Sequence, residues 1–258
     1  MNVYVLGGGG YVGSAYQRLL NKLYIPCTVV TRVNYESLIG TPCDVLINAN
    51  GNSKKFMSDQ DPLWDFDASV RSVIKALLDF KPGFSIHLSS GDVYPQTSSP
   101  EVSCEDQVID AALQSRYGLH KHLAEGIVRG MQPNHLIMRM GGFVGPGMKK
   151  NAIFDMLNDQ PVWLAPESEL QFISTDKAAE LVWGLFQAGV KGETVNLGSE
   201  GVVKIGEIHK RLNSKSEFQQ HARKVRFEIS TEKLAGLSSV AIPKTSDEVE
   251  AFFQTIDR

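Results

Sequence analysis

Four β-favouring residues, Val3-Tyr4-Val5-Leu6, run directly into Gly7-Gly8-Gly9-Gly10-Tyr11-Val12-Gly13, and the helix-compatible stretch Ser14 to Leu23 follows. No other feature restricts the fold so far. A strand that turns through glycines into a helix N-terminus opens a βαβ unit, and the free backbone N–H groups and helix dipole together form an anion site. The run fits two spacings, G-x-G-x-x-G as Gly8, Gly10 and Gly13, and G-x-x-G-x-x-G as Gly7, Gly10 and Gly13. Spacing alone does not choose between them. Gly7, Gly10, Tyr11, Val12 and Gly13 are the dinucleotide-binding candidates of this loop, joined by Ala49 at the end of the third predicted strand.

The same alternation continues along the chain. Short β-rich runs at Val3 to Leu6, Thr28 to Thr31, Val45 to Ala49, Ser85 to Ser89 and Leu136 to Met140 alternate with stretches of helical periodicity, which predicts a doubly wound α/β fold with a parallel sheet. Leu63, Phe66, Val70, Val73, Ile74, Leu77 and Leu78 recur at intervals of three and four, so they predict one helix with an apolar face on the sheet, ended by Pro82-Gly83. Asp106 to Gly130 is a second long helix candidate. Beyond Gly145-Pro146-Gly147 the elements shorten, and Val249, Phe252, Phe253 and Ile256 suggest a final amphipathic helix. The expected organisation is a dinucleotide-binding domain over residues 1–147, with 175–198 returning to it, and a small substrate lobe over 148–174 and 199–258. A chain of 258 residues suits this plan, since single cores stop growing at roughly 250 to 300 residues.

Charge and cysteine usage exclude other classes. A net charge of −3 gives no basic field for a phosphate backbone, so nucleic acid is not an expected partner. Cys27, Cys43 and Cys104 lack metal-ligand spacing, and an odd number without a secretory signal predicts reduced thiols, no metal and a cytoplasmic location. Val3 to Leu6 breaks at once into glycines, so neither a signal peptide nor a membrane span is expected there.

The second predicted strand ends Thr31-Arg32. A carboxylate at this place would accept from the adenosine ribose hydroxyls, whereas an arginine forms charge-assisted bonds to a 2′-phosphate, so NADP is expected over its alternative, NAD. Further on, Tyr117-Gly118-Leu119-His120-Lys121 puts a phenol and an ammonium one turn apart on one helix face. A neighbouring cation stabilises a phenolate, so Lys121 is expected to lower the tyrosine pKa. Ser90 lies where the preceding strand delivers it to the ligand crevice, and Asp92 is close enough to share that site. Ser90, Tyr117, Lys121 and Asp92 are the catalytic candidates, with Tyr117 and Lys121 also expected to touch the cofactor. His87 and His120 are read as packing or surface residues.

Taken together, these segments resemble the extended short-chain dehydrogenases, the NAD-dependent epimerase/dehydratase family. The glycine loop looks like Gly7 to Gly13, the serine strand like Leu88 to Pro95, and the dyad like Tyr117 to Lys121; Arg139 to Pro146, Phe172 to Asp176 and Asn196-Leu197-Gly198 match further motifs in order. The resemblance implies a Rossmann-type sheet and hydride transfer at a carbinol or ketone carbon, with Tyr117 moving the proton, Ser90 orienting the oxygen and Lys121 holding the ribose. Thr31-Arg32 and Ser-Ser-x-x-Tyr-Pro look most like reductases and epimerase/reductases of nucleotide-linked 4-keto sugars. Asp92 matches the position of a second acid/base in relatives, which keeps open an epimerase or dehydratase that retains its cofactor. A dinucleotide-binding regulatory protein without chemistry is the remaining alternative, disfavoured by the intact Ser, Tyr and Lys set. Gly142 and Leu170 depart from the family, since many sugar-nucleotide enzymes carry an Asn and an Arg there; Arg223 and Arg226 are candidate replacements. Relatives also lead to the expectation of an isologous homodimer through the helices of Leu63 to Leu78 and Asp106 to Gly130.

Overall fold

The computed structural model describes residues 1–256. β1 (Val3–Leu6), β2 (Cys27–Val30), β3 (Val45–Asn48), β4 (Phe84–Ser90), β5 (His135–Met140) and a last strand, Glu193–Leu197, form one parallel sheet. The order is Glu193–Leu197, β5, β4, β3, β1, β2, a Rossmann-type arrangement. The chain winds from β1 to β2 on one side and then to β3 on the other, so the crevice beyond the carboxyl ends of β1 and β3 is the topological switch point where such sheets bind ligands. Each predicted strand forms within one residue of its expected bounds.

Every residue of β1 and β3 is buried, as expected for strands covered on both faces. Val3 and Val5 point into one core with Tyr16, Leu20 and Trp183, from the helices Gly13–Lys22 and Thr175–Gln187. Tyr4 and Leu6 point the other way, into a core with Ala76 and Phe80. The period of two along the strand thus sorts helices to the two faces.

The predicted helix around Leu63 to Leu78 is not one regular helix. It runs as Pro62–Phe66, a π-helical turn Asp67–Arg71, and Ser72–Phe80. A π turn holds an extra residue and rotates the helical segment before it relative to the segment after it. The single apolar face therefore breaks: Val70, Val73 and Leu77 are buried, but Leu63 is 80% and Leu78 56% exposed. The second long helix is shorter than expected, Arg116–Met131, because the Ser115 hydroxyl caps it by accepting from the Gly118 N–H at 3.1 Å.

Beyond β5 a smaller core forms from Val144, Ile153, Met156, Val162, Phe172, Ile205, Val249 and Phe253, with the last two on the helix Thr245–Ile256. Residues expected in the lobe are divided, since the helix Glu232–Leu237 returns Leu234 to the main core. The last two residues of that expected lobe, 257 and 258, lie outside the described residues. Among the described residues no helix is long and apolar enough to cross a membrane, and no cluster of His, Cys, Asp or Glu is suited to a metal.

Candidate active site

The glycine loop separates into two jobs. Gly7 has φ +78°, and a Cβ there would stand 2.8 Å from the Ala49 carbonyl oxygen; a Cβ on Gly13 would collide with the Gly7 carbonyl. These two let β1, β3 and the first helix meet. Gly9 and Gly10 are exposed, and a Cβ on Gly9 would meet nothing within 4 Å. Behind them, the helix Gly13–Lys22 has no side-chain cap and no acidic residue in its first turn. The Ser14 and Ala15 N–H groups bond back to the Gly10 and Val12 carbonyls at 3.0 and 3.1 Å, but the positive end of the helix remains for an anion, so the residues present fit the pyrophosphate of a dinucleotide.

Arg32 is exposed just past β2. The Thr31 N–H and hydroxyl donate to Asn34 Oδ1 at 2.7 and 3.0 Å, which fixes the turn that carries the arginine.

β4 delivers Ser90 to the crevice, and a short 3-10 turn, Gly91–Val93, comes next. The Ser90 hydroxyl donates to Asp92 Oδ2 at 2.9 Å, and Lys55 Nζ donates to Asp92 Oδ1 at 2.6 Å. Lys55 was not singled out from the sequence. The signal was its place in the loop beyond the carboxyl end of β3, where this sheet type collects ligand-facing groups.

Tyr117 and Lys121 are buried on the Arg116–Met131 helix. The glycine between them explains how the helix reaches the serine turn: a Cβ on Gly118 would overlap the Asp92 carbonyl oxygen. Lys121 Nζ stands 5.5 Å from the centre of the Tyr117 ring. The expected lowering of the tyrosine pKa does not occur among the chain's own groups. Burial and the Asp92 carboxylate push Tyr117 well up, opposed by a Ser90 hydrogen bond. Burial also pulls Lys121 down to about 8, against the pull of Asp65 and Asp92 and with the help of Lys150. Desolvation disfavours phenolate and ammonium alike, and here it outweighs their mutual attraction.

A second layer of ionic contacts lies behind the serine strand. Arg139 pairs with Glu125 at 2.8 Å and donates to the Tyr94 hydroxyl at 2.8 Å; Tyr94 donates to Asn196 Oδ1 at 2.9 Å, and Ser89 to Glu125 Oε1 at 2.6 Å. Arg139 and Asn196, matched by sequence as motif residues, are therefore scaffold. Glu125 was missed, although it sits four residues after Lys121 on the same helix.

The departures at Gly142 and Leu170 are built into the lobe. A Cβ on Gly142 would lie 2.6 Å from the Gln171 carbonyl oxygen, and Leu170 pairs across strands with Val203 and Phe227. Of the candidate replacements, Arg226 is taken by Glu169 at 2.7 Å and Glu228 at 2.6 Å. That pairing engages its guanidinium with two carboxylates of the lobe. Arg223 ends the strand Phe218–Arg223 and is exposed. Positive charge gathers instead near Asp92: the Lys150 ammonium is pulled below its ordinary range by desolvation and then by Lys55, against the pull of Asp92, with Lys54 adding to the repulsion.

The family model described as NAD dependent epimerase/dehydratase family matches residues 3–198. No curated protein matches the chain by sequence. Similar solved structures include a UDP-galactose 4-epimerase at 18% identity and TM-score 0.79, covering 96% of this chain and 95% of that one. A dTDP-glucose 4,6-dehydratase from Streptomyces venezuelae, with NAD bound, is similar at 17% identity and TM-score 0.78, covering 98% and 97%. A dTDP-4-dehydrorhamnose reductase from Bacillus anthracis, in complex with NADP, is similar at 15% identity and TM-score 0.80, covering 98% of both chains.

Proposed function

The chain belongs to the NAD dependent epimerase/dehydratase family, and from that premise we propose that it is an NADP(H)-dependent reductase acting at a carbinol or ketone carbon of a nucleotide-linked sugar. One observation carries the reading: Ser90, Tyr117 and Lys121 converge at the end of β4, in the crevice that the open glycine loop also faces. The bound nicotinamide supplies the hydride donor or acceptor. Tyr117 donates its proton to the substrate oxygen as the alcohol forms, or removes it in the reverse direction. A raised pKa suits the donating role, because the phenol stays protonated at neutral pH until the oxygen takes up charge. Ser90 would turn its hydroxyl from Asp92 to that oxygen, and Lys121 would hold the ribose of a bound cofactor.

The structures of similar fold include a reductase with NADP and a dehydratase with NAD, and Arg32 favours the 2′-phosphate of the former. Lys54 and Lys150 would supply positive charge for the substrate diphosphate in place of the absent Asn and Arg, beside a Lys55 already paired with Asp92. A second reading, an epimerase or dehydratase that keeps its cofactor, draws on Asp92, whose carboxylate at the crevice is equipped to accept a proton from carbon. Its tight pair with Lys55 weakens it as a base, which favours the reductase.

The deciding experiment denatures freshly purified protein, counts any dinucleotide released, and titrates the stripped protein with NADPH and NADH. An empty protein that prefers NADPH, and loses that preference in Arg32→Ala, supports the reductase; about one tightly held dinucleotide per chain supports the second reading. Tyr117→Phe is expected to lose roughly 100- to 10,000-fold in turnover. Normal activity in that variant would sink the assignment. The protein is further proposed to form an isologous dimer through the exposed Leu63, Leu78, Leu123 and Met131, to be checked by light scattering.

A further inference from the structure

The proposed reaction leaves Gln17 without a task, although it is tied to the glycine loop. It stands on the second turn of the helix Gly13–Lys22, off the buried face made by Ala15, Tyr16, Leu19 and Leu20. Its Nε2 donates to the Gly8 carbonyl oxygen. Side chains on a helix lean towards its N-terminus, over the residue four places back, and here that residue is Gly13, which has no side chain to stand in the way. Gly8 is buried against the same amide. A Cβ on it would stand 3.0 Å from Gln17 Nε2, 3.0 Å from Val29 Cγ1 on β2 and 3.2 Å from Val5 Cγ1 on β1.

The loop carbonyls are tied off one after another. That of Gly7 accepts from the Gly10 N–H at 2.9 Å, that of Gly10 from the Ser14 N–H, that of Tyr11 from the Ser14 hydroxyl at 3.0 Å and that of Val12 from the Ala15 N–H. The carbonyl of Gly8 falls to Gln17, and among the described residues only that of Gly9, an exposed residue, lacks a donor. The Gly9, Tyr11 and Val12 N–H groups, by contrast, have no partner within the chain among the described residues. A pyrophosphate is drawn to such N–H groups and repelled by a bare carbonyl beside them, and a donor on that carbonyl cancels part of its charge.

We infer that Gln17 is a positioning residue for the dinucleotide, which holds the Gly8 carbonyl on the helix side of the loop and so keeps the neighbouring N–H groups for the pyrophosphate. The inference rests on the reading of the glycine loop as the pyrophosphate site. Ser14 ties Tyr11 from the first turn of the helix and Gln17 ties Gly8 from the second, so two side chains of one helix grip the loop on either side of the exposed pair Gly9-Gly10. The Ser14 hydroxyl is shared, since it also accepts from Arg18 Nη1 at 3.2 Å. The Gln17 amide serves Gly8. This contact also gives the second glycine of the run its reason, because a side chain at that position would crowd the amide that holds the loop.

The test reads binding and needs no turnover. Stripped protein is titrated with NADPH and NADH by nicotinamide fluorescence, and with adenosine 2′-monophosphate, which has no pyrophosphate, by calorimetry. In Gln17→Met, which keeps the length of the side chain and loses the donor, both dinucleotides are expected to bind about 2- to 10-fold more weakly, the worth of one hydrogen bond. The ratio of NADPH to NADH affinity and the binding of the monophosphate are expected to stay as in wild type. Unchanged dinucleotide affinity overturns the inference, and so does an equal loss of the monophosphate, which marks a general loosening of the fold. One bond at a half-buried residue is too little to unfold the domain. Gln17→Glu, of the same shape, repeats the test at pH 8, where its carboxylate has no proton to donate and the same split is expected. The reductase reading fails separately, through an active Tyr117→Phe or an Arg32→Ala that keeps any NADPH preference, whereas a wild type that takes up no dinucleotide overturns both.

Discussion

Gly118→Ala tests whether the tyrosine helix is held at the serine turn by backbone contact. In an ordinary helix the change from Gly to Ala gains about 1 kcal/mol of propensity. Here the new Cβ would overlap the Asp92 carbonyl oxygen, and that oxygen belongs to a turn pinned by the Asp92 N–H to Ser90 Oγ bond at 3.2 Å and by the Tyr94 N–H to Gly91 carbonyl bond at 3.1 Å. Neither partner is the flexible tip of a side chain. Overpacking of this kind costs about 1 to 3 kcal/mol, and contact with fixed backbone belongs at the upper end, so the net result is a loss of about 1 to 2 kcal/mol. At this chain length each kcal/mol moves the melting midpoint by about 2 to 4 °C. Because the contact lies between Tyr117 and Ser90, a displacement of about 1 Å would also cost on the order of 100-fold in turnover. Gly184 is the control. It lies inside the helix Thr175–Gln187, where an added Cβ meets nothing within 4 Å, so Gly184→Ala should raise the midpoint by about 2 to 4 °C. Thermal unfolding and steady-state assays of the two variants decide the matter: a Gly118→Ala protein that gained stability as Gly184→Ala does, with full activity, would refute the contact.

Two further predictions concern buried charge. His87 is buried with both ring nitrogens unpartnered, and its pKa is depressed to about 4 by burial, so between roughly pH 6.5 and 4 the unfolded chain binds the proton and the native state does not. Its contribution is therefore present above pH 6.5 and is lost as pH falls through that window, by up to about 3 kcal/mol; denaturant titrations of His87→Leu should show a flatter loss than wild type across the same range. Arg139→Met would leave Glu125 buried without its main cation, an expected loss of about 3 to 5 kcal/mol, partly recovered in Arg139→Met with Glu125→Gln. If the single variant unfolded at the same denaturant concentration as wild type, the ionic layer behind β4 would have no structural weight.

The primary sequence determined the local order: a strand, glycines and a helix, then strands and helices in alternation, with Tyr117 and Lys121 one turn apart on a single helix. Such features depend on neighbours along the chain and on apolar period, so they can be read without coordinates. The π turn could not, because Leu63 and Leu78 obey helical spacing in the sequence while one extra residue per turn, stabilised by Ser69 reaching Asp65, rotates them out of register. Lys55 pairing with Asp92, Asp65 with His120, and Arg139 with Glu125 are contacts between distant segments, and no local pattern encodes them. The sign of the Tyr117 shift was likewise decided by the tertiary structure. Sequence spacing supplied the cation, but the competing effect is desolvation, and how deeply a phenol is buried is settled only when Gly118 lets its helix close on the turn at Asp92.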